Sequence, residues 1–335
     1  MVSSAPWTVI SAGSAAGEAG LAAAFIRAAI ERGRHVWSLA HGANYDEHLV
    51  KAGGQPVSAD DLLDAVNRSE LVVCSTSLTC RHLIRQLART GVRLATLESS
   101  WFPWAAGAPE RLASIRRSFV AMPGAVFRAG LGNNHGRFAL APDTLDRVVP
   151  VGWFAHPGPR LAGPPTVLVY FGRGYEPETF ICRETLGAAI AQVALARPDV
   201  RWRYLGPAGL PLPGCVDIHT NWLDETEFER LHDEADLVIC HHGQLTIGRA
   251  AAAGARVLTL TEGAIFRPRL GRTWADYEVS AFARAGRVEA VYGPAPVDAL
   301  VRRIISLLEA GRAVPDGGGG AEAAVLAAED MIGAM

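Results

Sequence analysis

The sequence has few cysteines and no closely spaced pair of them. Five of its 335 residues are cysteine, and no two stand in a CxxC arrangement. Disulfide frameworks and zinc sites need paired or clustered cysteines, so the pattern argues against both. We expect reduced thiols inside hydrophobic cores. The five are Cys74, Cys80, Cys182, Cys215 and Cys240.

The sequence also lacks a long apolar run and a strong net charge. No run approaches the roughly 18–20 residues that a membrane span requires. The apolar segment 1–30 has no basic start and contains a glycine-rich turn, which argues against a signal peptide. The formal net charge is −2, so there is no electrostatic footprint for nucleic acid. We expect a cytoplasmic protein that binds small molecules.

A third absence concerns dinucleotide binding. A short strand, Trp7 to Ser11, enters the turn SAGSAAGEAG, and a helix and a second strand, His35 to Leu39, follow. The turn contains no GxGxxG, and Ser38 to His41 place no acid after the second strand, where a dinucleotide ribose needs one. NAD is therefore disfavoured. The glycine-rich turn lets a substrate approach the backbone closely, which makes Ser14 a candidate substrate contact.

The most informative stretch is Ala235 to Leu260, which is predicted to form one βαβ unit. Leu237 to Cys240 and Arg256 to Leu260 are apolar runs of strand length, and the alanine-rich helix between them ends at Gly254. The turn His241-His242-Gly243-Gln244 precedes this helix, whose first free N–H groups attract anions, so the turn suits a phosphate. The plainer interpretation is that many doubly wound proteins contain such a unit and that both histidines are ordinary loop residues.

This stretch resembles the donor-binding segment of GT-B nucleotide-sugar glycosyltransferases, the class of the peptidoglycan N-acetylglucosaminyltransferase and the UDP-dependent natural-product transferases. In that family a His, one or two Gly, a Ser or Thr and then a Glu follow an apolar strand. His241, Gly243 and Thr246 take the first three places, and His242 replaces the first Gly. The resemblance implies a diphosphate site here, with Gln244 in the turn.

Arg249 stands where the family has a Glu that grips the donor ribose hydroxyls. A guanidinium donates hydrogen bonds and accepts none, so it cannot replace those bonds in kind. Two interpretations remain: Arg249 meets an added anionic group on the donor, or it turns to solvent or pairs with a neighbouring carboxylate. The family's Asp-Gln pair, which reads the sugar hydroxyls, falls on Trp274 and Ala275, and nearby Arg267 either grips an anion or is simply solvated.

The family also carries a catalytic His after its first glycine-rich loop, and that place falls on Glu18. A carboxylate with a raised pKa would take the proton from an acceptor hydroxyl. Glu18 is almost equally well explained as a first-turn acid favoured by the helix dipole. Glu98, just past the strand Arg93 to Leu97, is the second candidate base. Trp101 beside it is expected either in an acceptor pocket or in the core.

The remaining candidate site residues are assigned by their positions in the chain relative to the expected cleft and to the family's loops. The segments 111–117 and 130–137 are expected to form an exposed variable region that faces the cleft. Asn221-Trp222-Leu223 occupies the position of the loop that stacks on the nucleobase in the family, although an aromatic there is equally explained by packing. The candidates are Asn134 and His135 for the acceptor, Gly172 and Arg173 for the diphosphate, and Trp222 for the nucleobase.

The resemblance and the βαβ rhythm together predict an α/β protein with two Rossmann-like, doubly wound parallel-sheet domains facing a cleft, which is the GT-B fold. We expect an acceptor domain over residues 1–155 and a Pro/Gly-rich linker over 156–165. A donor domain over 166–315 is expected next, followed by a glycine-rich break and a helix over 316–335.

The resemblance implies an inverting, metal-independent transferase that moves a sugar from a UDP- or TDP-sugar to a small-molecule acceptor. No metal, no cofactor besides this co-substrate and no nucleic-acid partner is expected. The alternatives are a nucleotide-sugar epimerase or hydrolase of the same fold and a non-catalytic binding or partner subunit, which the loss of the family's His, Glu and Asp-Gln favours. The oligomeric state stays open.

Overall fold

The computed structural model divides the chain into two units. Unit 1 comprises Met1–Phe154 and Gly319–Met335, and unit 2 comprises Ala155–Gly318. The residues that the structure describes are 5–11, 16–40, 46–75, 81–99, 114–131, 145–158, 160, 163–171, 182–219, 223, 225–241, 243–261 and 274–333.

Unit 1 is a parallel sheet with helices. Its described strands are β1 (Trp7–Ser11), β2 (Val36–Ala40), β3 (Gln55–Pro56), β4 (Leu71–Ser75), β5 (Leu94–Glu98), β6 (Ile115–Val120) and β7 (Val148–Pro150). Its described helices are α1 (Ala16–Glu31), α2 (Asp46–Lys51), α3 (Leu62–Asn67), α4 (Arg81–Arg89), α5 (Gly124–Leu131) and, after unit 2, α11 (Gly320–Gly333). The sheet order is β3-β2-β1-β4-β5-β6-β7, and each pairing is parallel.

The sequence explains the centre of this sheet directly. Every residue of β1, β4 and β5 is buried, as expected for parallel strands that are covered on both faces. Helix α11 joins the same core, because Ala324 and Val325 pack with Trp7 and Phe25. Unit 1 therefore takes part of its core from a segment that follows unit 2 in the chain.

An ion-pair cluster joins α11 to the end of α1. Both carboxylate oxygens of Glu329 accept hydrogen bonds, one from Arg32 and one from Arg34. The bond from Arg32, with the further bond and charge from Arg34, holds the pKa of Glu329 below its usual range. The guanidinium of Arg34 also lies 5.0 Å from the ring centroid of Trp7, within cation–π range.

Unit 2 repeats the architecture with a smaller sheet. Its described strands are β8 (Thr166–Tyr170), β9 (Arg201–Leu205), β10 (Val216–His219), β11 (Leu237–Cys240), β12 (Arg256–Thr261) and β13 (Glu289–Tyr292). Its described helices are α6 (Arg183–Ala196), α7 (Glu225–Glu234), α8 (Gln244–Ala253), α9 (Trp274–Arg284) and α10 (Val297–Glu309). The sheet order is β10-β9-β8-β11-β12-β13, and each pairing is parallel. Two Rossmann-like units were predicted, and this is the observed fold class.

The βαβ unit that dominates the sequence has the predicted form. Strands β11 and β12 pair in parallel, with Leu237 opposite Arg256. Helix α8 ends at Gly254, whose φ of 78° lies in the left-handed region that favours glycine. Half of the buried residues of α8 are alanine, and the last four of them are consecutive, Ala250 to Ala253.

Two sequence expectations are wrong in part. Cys215 is exposed rather than inside a hydrophobic core. The segment 111–117 was predicted to be exposed, but β6 begins at Ile115 and lies between β5 and β7. Arg116 and Arg117 are exposed, whereas Ile115 and residues 118–120 are buried. The strand was not predicted because the two adjacent arginines near its start interrupt the apolar run by which buried strands are recognised.

Candidate functional site

The candidate site of unit 2 lies where the strand order reverses. Strand β8 has β9 on one side and β11 on the other, so the chain leaves β8 and β11 toward opposite ends of the sheet. Tyr170 pairs with Cys240 at their carboxyl ends. Doubly wound sheets bind ligands in the crevice outside this switch point. His241 is the first residue beyond β11, and its ring centroid lies 6.4 Å from that of Phe171, which follows β8.

Gly243 leaves space for two polar side chains. A Cβ on this residue would lie 3.3 Å from Cε1 of His241 and 3.4 Å from Oγ1 of Thr246. A larger residue at this position would crowd these two side chains, although the φ of −64° is itself accessible to any residue. The structure thus brings together three residues that the resemblance singled out: His241, Gly243 and Thr246.

The first turn of α8 is uncapped. Its N-cap residue is Gly243, which has no side chain to accept from the N–H groups of the turn. Among the described residues, none accepts a hydrogen bond from the N–H groups of Gln244, Leu245 or Thr246. Free N–H groups and the positive end of the helix dipole attract an anion at this place.

Gln244, the first residue of α8, is a buried polar side chain. It is only 6% exposed. Neither Oε1 nor Nε2 has a hydrogen-bond partner within the described part of the chain. Buried amide groups are nearly always hydrogen bonded, so this one requires an explanation.

Arg249 forms an ion pair with a neighbouring helix. Its Nη2 lies 2.8 Å from Oε1 of Glu229 on α7, with the side chains 13% and 37% exposed. The guanidinium also lies 6.0 Å from the ring centroid of Phe228. Of the two interpretations of Arg249, the structure therefore shows the pairing with a neighbouring carboxylate.

A buried histidine lies behind this pair. His232 Nδ1 is 2.9 Å from the carbonyl oxygen of Phe228, and because a carbonyl only accepts, Nδ1 carries the hydrogen. Full burial, with a smaller contribution from the charge of Arg249, lowers the pKa of His232 to about 4. Its ring lies edge-on to Tyr170, with centroids 5.7 Å apart. His232 is therefore neutral at pH 7.

The candidate base Glu18 lies at the switch point of unit 1. There β1 has β2 on one side and β4 on the other, and Glu18 is in the first turn of α1. Oγ of Ser75, the last residue of β4, donates to the carbonyl oxygen of Glu18 at 2.8 Å. This bond fixes the start of α1 against β4.

Glu98, the reserve base, ends β5 and is 3% exposed. Its carbonyl oxygen accepts from the N–H of Ala121, at 2.9 Å. The remaining candidates lie outside the described residues: Ser14, Trp101, Asn134, His135, Gly172, Arg173, Trp222, His242 and Arg267.

No known protein family and no curated protein matches the chain in sequence. Solved structures match it along nearly its whole length. The glycotransferase of kitacinnamycin is 15% identical with a TM-score of 0.59, and the match covers 99% of this chain and 95% of that one. MurG from Acinetobacter baumannii is 15% identical with a TM-score of 0.59, covering 98% and 100%. The chain has the GT-B fold.

The solved structures that match the chain are not all described as glycosyltransferases. A protein described as a UDP-N-acetylglucosamine 2-epimerase from Listeria monocytogenes is 14% identical with a TM-score of 0.64, covering 97% of this chain and 96% of that one. Within the described part of the GT-B chain, no helix is long and apolar enough to cross a membrane. The same residues contain no cluster of three His, Cys, Asp or Glu side chains suited to a metal ion.

Sequence reasoning missed three residues of these two candidate sites: Glu229, His232 and Ser75. Phe228, Leu231 and His232 do follow helical spacing, and Leu231 and His232 are buried. That pattern was available in the sequence and would have indicated a histidine on the inner face of α7. The partner of Arg249 was not available, because it depends on how two helices pack.

Proposed function

We propose that the protein transfers a sugar from a UDP- or TDP-sugar to a small-molecule acceptor, with inversion and without a metal. The observation that carries this proposal is the uncapped start of α8 beside His241, at the switch point of unit 2. The GT-B fold supports it, because glycosyltransferases are among the structures that share the fold. A cytoplasmic location is part of the same proposal.

In the proposed reaction the diphosphate leaves as the acceptor attacks. An acceptor oxygen forms a bond to the anomeric carbon while the bond from that carbon to the diphosphate oxygen breaks. The N–H groups of Gln244 and Leu245 and the imidazole of His241 stabilise the charge that develops on the diphosphate. These donors are fixed before the reaction, so little reorganisation is needed.

The acceptor loses its hydroxyl proton to a base, and we assign this role to Glu18. An acid in the first turn of α1, held at the unit 1 switch point by Ser75, stands where doubly wound sheets place ligands. Glu98 is the reserve. With Glu18 as base, the proton moves to a carboxylate and no metal takes part in the transfer.

Thermal unfolding with a panel of nucleoside diphosphates tests the donor site. We expect UDP or TDP to raise the melting temperature, because a ligand at about 100 times its Kd adds roughly 2.7 kcal/mol. GDP, ADP and CDP complete the panel, and the matching nucleosides are the control for diphosphate binding. A protein that none of the five diphosphates stabilises at millimolar concentration has no donor site of this kind.

An epimerase is the second candidate, since the epimerase relative has the higher TM-score, 0.64 against 0.59. The two activities differ in what they need. An epimerase converts UDP-N-acetylglucosamine without an acceptor, whereas a transferase releases UDP only when an acceptor is present. Analysis of products with and without a mixture of hydroxylated acceptors separates them, and binding without any product indicates a non-catalytic protein.

A further inference from the structure

Gln244 combines two properties that are rarely found together. It is 6% exposed, and both polar atoms of its side chain are without a partner among the described residues. It also occupies the first position of α8, next to free backbone N–H groups. Because Cα–Cβ bonds in a helix tilt toward the N-terminus, the Cα–Cβ bond of Gln244 is directed toward the turn that precedes the helix.

A packing role does not account for a carboxamide at this position. Leucine or methionine has a similar volume and would leave no polar atom without a partner. Other buried polar side chains near the strand ends of unit 2 differ in this respect. Asp236, at the amino edge of the sheet, accepts from the N–H of Thr166. Oγ1 of Thr261, at the carboxyl end of β12, is like Gln244 without a hydrogen-bond partner among the described residues. The orphaned amide of Gln244 is explained if its partners arrive with a ligand.

The chemistry of the amide specifies what that ligand presents. Nε2 only donates and Oε1 only accepts, so the ligand must offer an acceptor and a donor side by side. A phosphate oxygen at neutral pH is an acceptor, and it satisfies Nε2 alone. A hydroxyl adjacent to the phosphate satisfies Oε1. A sugar linked through its anomeric carbon to a diphosphate presents both groups together.

We infer that Gln244 reads the sugar half of the donor: Nε2 donates to a diphosphate oxygen, and Oε1 accepts from a sugar hydroxyl. This inference rests on the proposed function. It assigns sugar recognition to the first residue of α8, whereas the positions that match the Asp-Gln pair of the resembling transferases hold Trp274 and Ala275.

Calorimetric titration of UDP and UDP-glucose, and of TDP and TDP-glucose, into Gln244→Leu tests the inference. We expect Kd for the glucose conjugate to rise at least about tenfold, and Kd for the bare diphosphate to rise less, about threefold, because one bond rather than two is lost. Gln244→Glu keeps an acceptor but adds a negative charge, and should weaken both ligands. Gln192→Leu, the same change at an exposed position of α6, is the matched control.

Unfolding of the ligand-free variants separates recognition from structure. We expect Gln244→Leu to melt at or above the wild-type temperature, since it removes two unpartnered polar atoms. A clear loss of stability shows that the amide has partners within the protein and overturns the inference.

The binding results also separate this inference from the donor site. An equal loss for the diphosphate and its conjugate, or no loss for either, overturns sugar reading while the donor site stands. Wild-type protein that binds none of the four ligands overturns the proposed function and this inference with it.

Discussion

Buried polar groups at the two edges of the unit 2 sheet, where its strands begin and where they end, differ in their hydrogen bonding. At the amino edge, Oδ2 of Asp236 accepts from the N–H of Thr166, and Oδ1 lies 2.8 Å from Arg160. Arg312 donates to the carbonyl oxygens of Asp233 and Ala235. The segment expected to be a linker, 156–165, takes part in this network through Arg160, and it belongs to unit 2.

At the carboxyl edge, the side chain of Gln244 is buried, and neither polar atom of its amide has a hydrogen-bond partner in the described chain. The first turn of α8 has no side chain that caps it. Asp236 and Arg312 are therefore hydrogen bonded within the protein at the amino edge, whereas Gln244 has no partner in the described chain at the carboxyl edge. Satisfied buried polar groups stabilise the fold, while unsatisfied ones leave hydrogen bonds for a ligand. Changes at the amino edge should affect stability, and changes at the carboxyl edges of the two sheets should affect binding and turnover.

The largest stability effect is expected from Asp236→Ala. It leaves the N–H of Thr166 without its acceptor and Arg160 without its carboxylate, which should cost about 3–5 kcal/mol of the free energy of unfolding. Urea unfolding measures the loss. Asp217→Ala, at an exposed position of β10, is the control and should cost less than about 0.5 kcal/mol. If the two variants unfold alike, the amino-edge network does not stabilise the unit.

His232 makes stability depend on pH, with an effect of about 3 kcal/mol. Its pKa is about 4 in the folded protein and 6.5 as the reference value, so the unfolded chain takes up the proton first as the pH falls. The stabilisation is complete above pH 6.5 and is lost as the pH falls toward 4. Urea unfolding at several pH values should show a shallower dependence for His232→Leu than for wild type. Parallel curves would mean that His232 titrates normally in the folded protein.

Glu18→Gln should reduce kcat at least about a hundredfold, or about 2.7 kcal/mol of activation free energy, because the amide cannot accept the acceptor's proton. The free energy of unfolding and the affinity for UDP should stay nearly unchanged. Glu98→Gln is the matched comparison. If it loses activity while Glu18→Gln keeps it, Glu98 is the base; if neither change matters, proton transfer does not limit the reaction.

The smallest effect concerns Arg249 and Glu229. Reversing either charge alone should cost about 1–2 kcal/mol, and the double exchange Arg249→Glu with Glu229→Arg should recover about 1 kcal/mol in a double-mutant cycle.

The exchange also tests the ribose contact. The double exchange places a glutamate at position 249, where GT-B transferases of the resembled class carry one. UDP should therefore bind more tightly to the double variant than to wild type. Unchanged affinity would show that position 249 does not face the ribose.

The sequence predicted the framework of the fold well because buried parallel strands are nearly pure apolar runs, as in Leu237–Cys240. It failed where a strand carries charge or is very short. Ile115–Val120 begins with two arginines after its first residue, and Gln55–Pro56 is a two-residue edge strand. Local patterns do not report the partners that such strands find across the sheet.

The candidate site was predictable to the extent that it is a local motif. His241, Gly243 and Thr246 are neighbours in sequence, and the structure places them together. The ion pair of Arg249 and the burial of His232 depend on the packing of α7 against α8. The burial of Gln244 without partners is likewise a property of three-dimensional surroundings that residue spacing does not encode.

The place of α11 fixes the order in which the chain acquires its two units during synthesis. Unit 2 is one continuous segment, so every residue of its core has left the ribosome once residue 318 has emerged. Unit 1 starts earlier but finishes later, because Ala324, Val325 and Ala328 belong to its core. Until those residues emerge, Trp7 and Phe25 lack part of their covering, so the core of unit 1 is completed after that of unit 2.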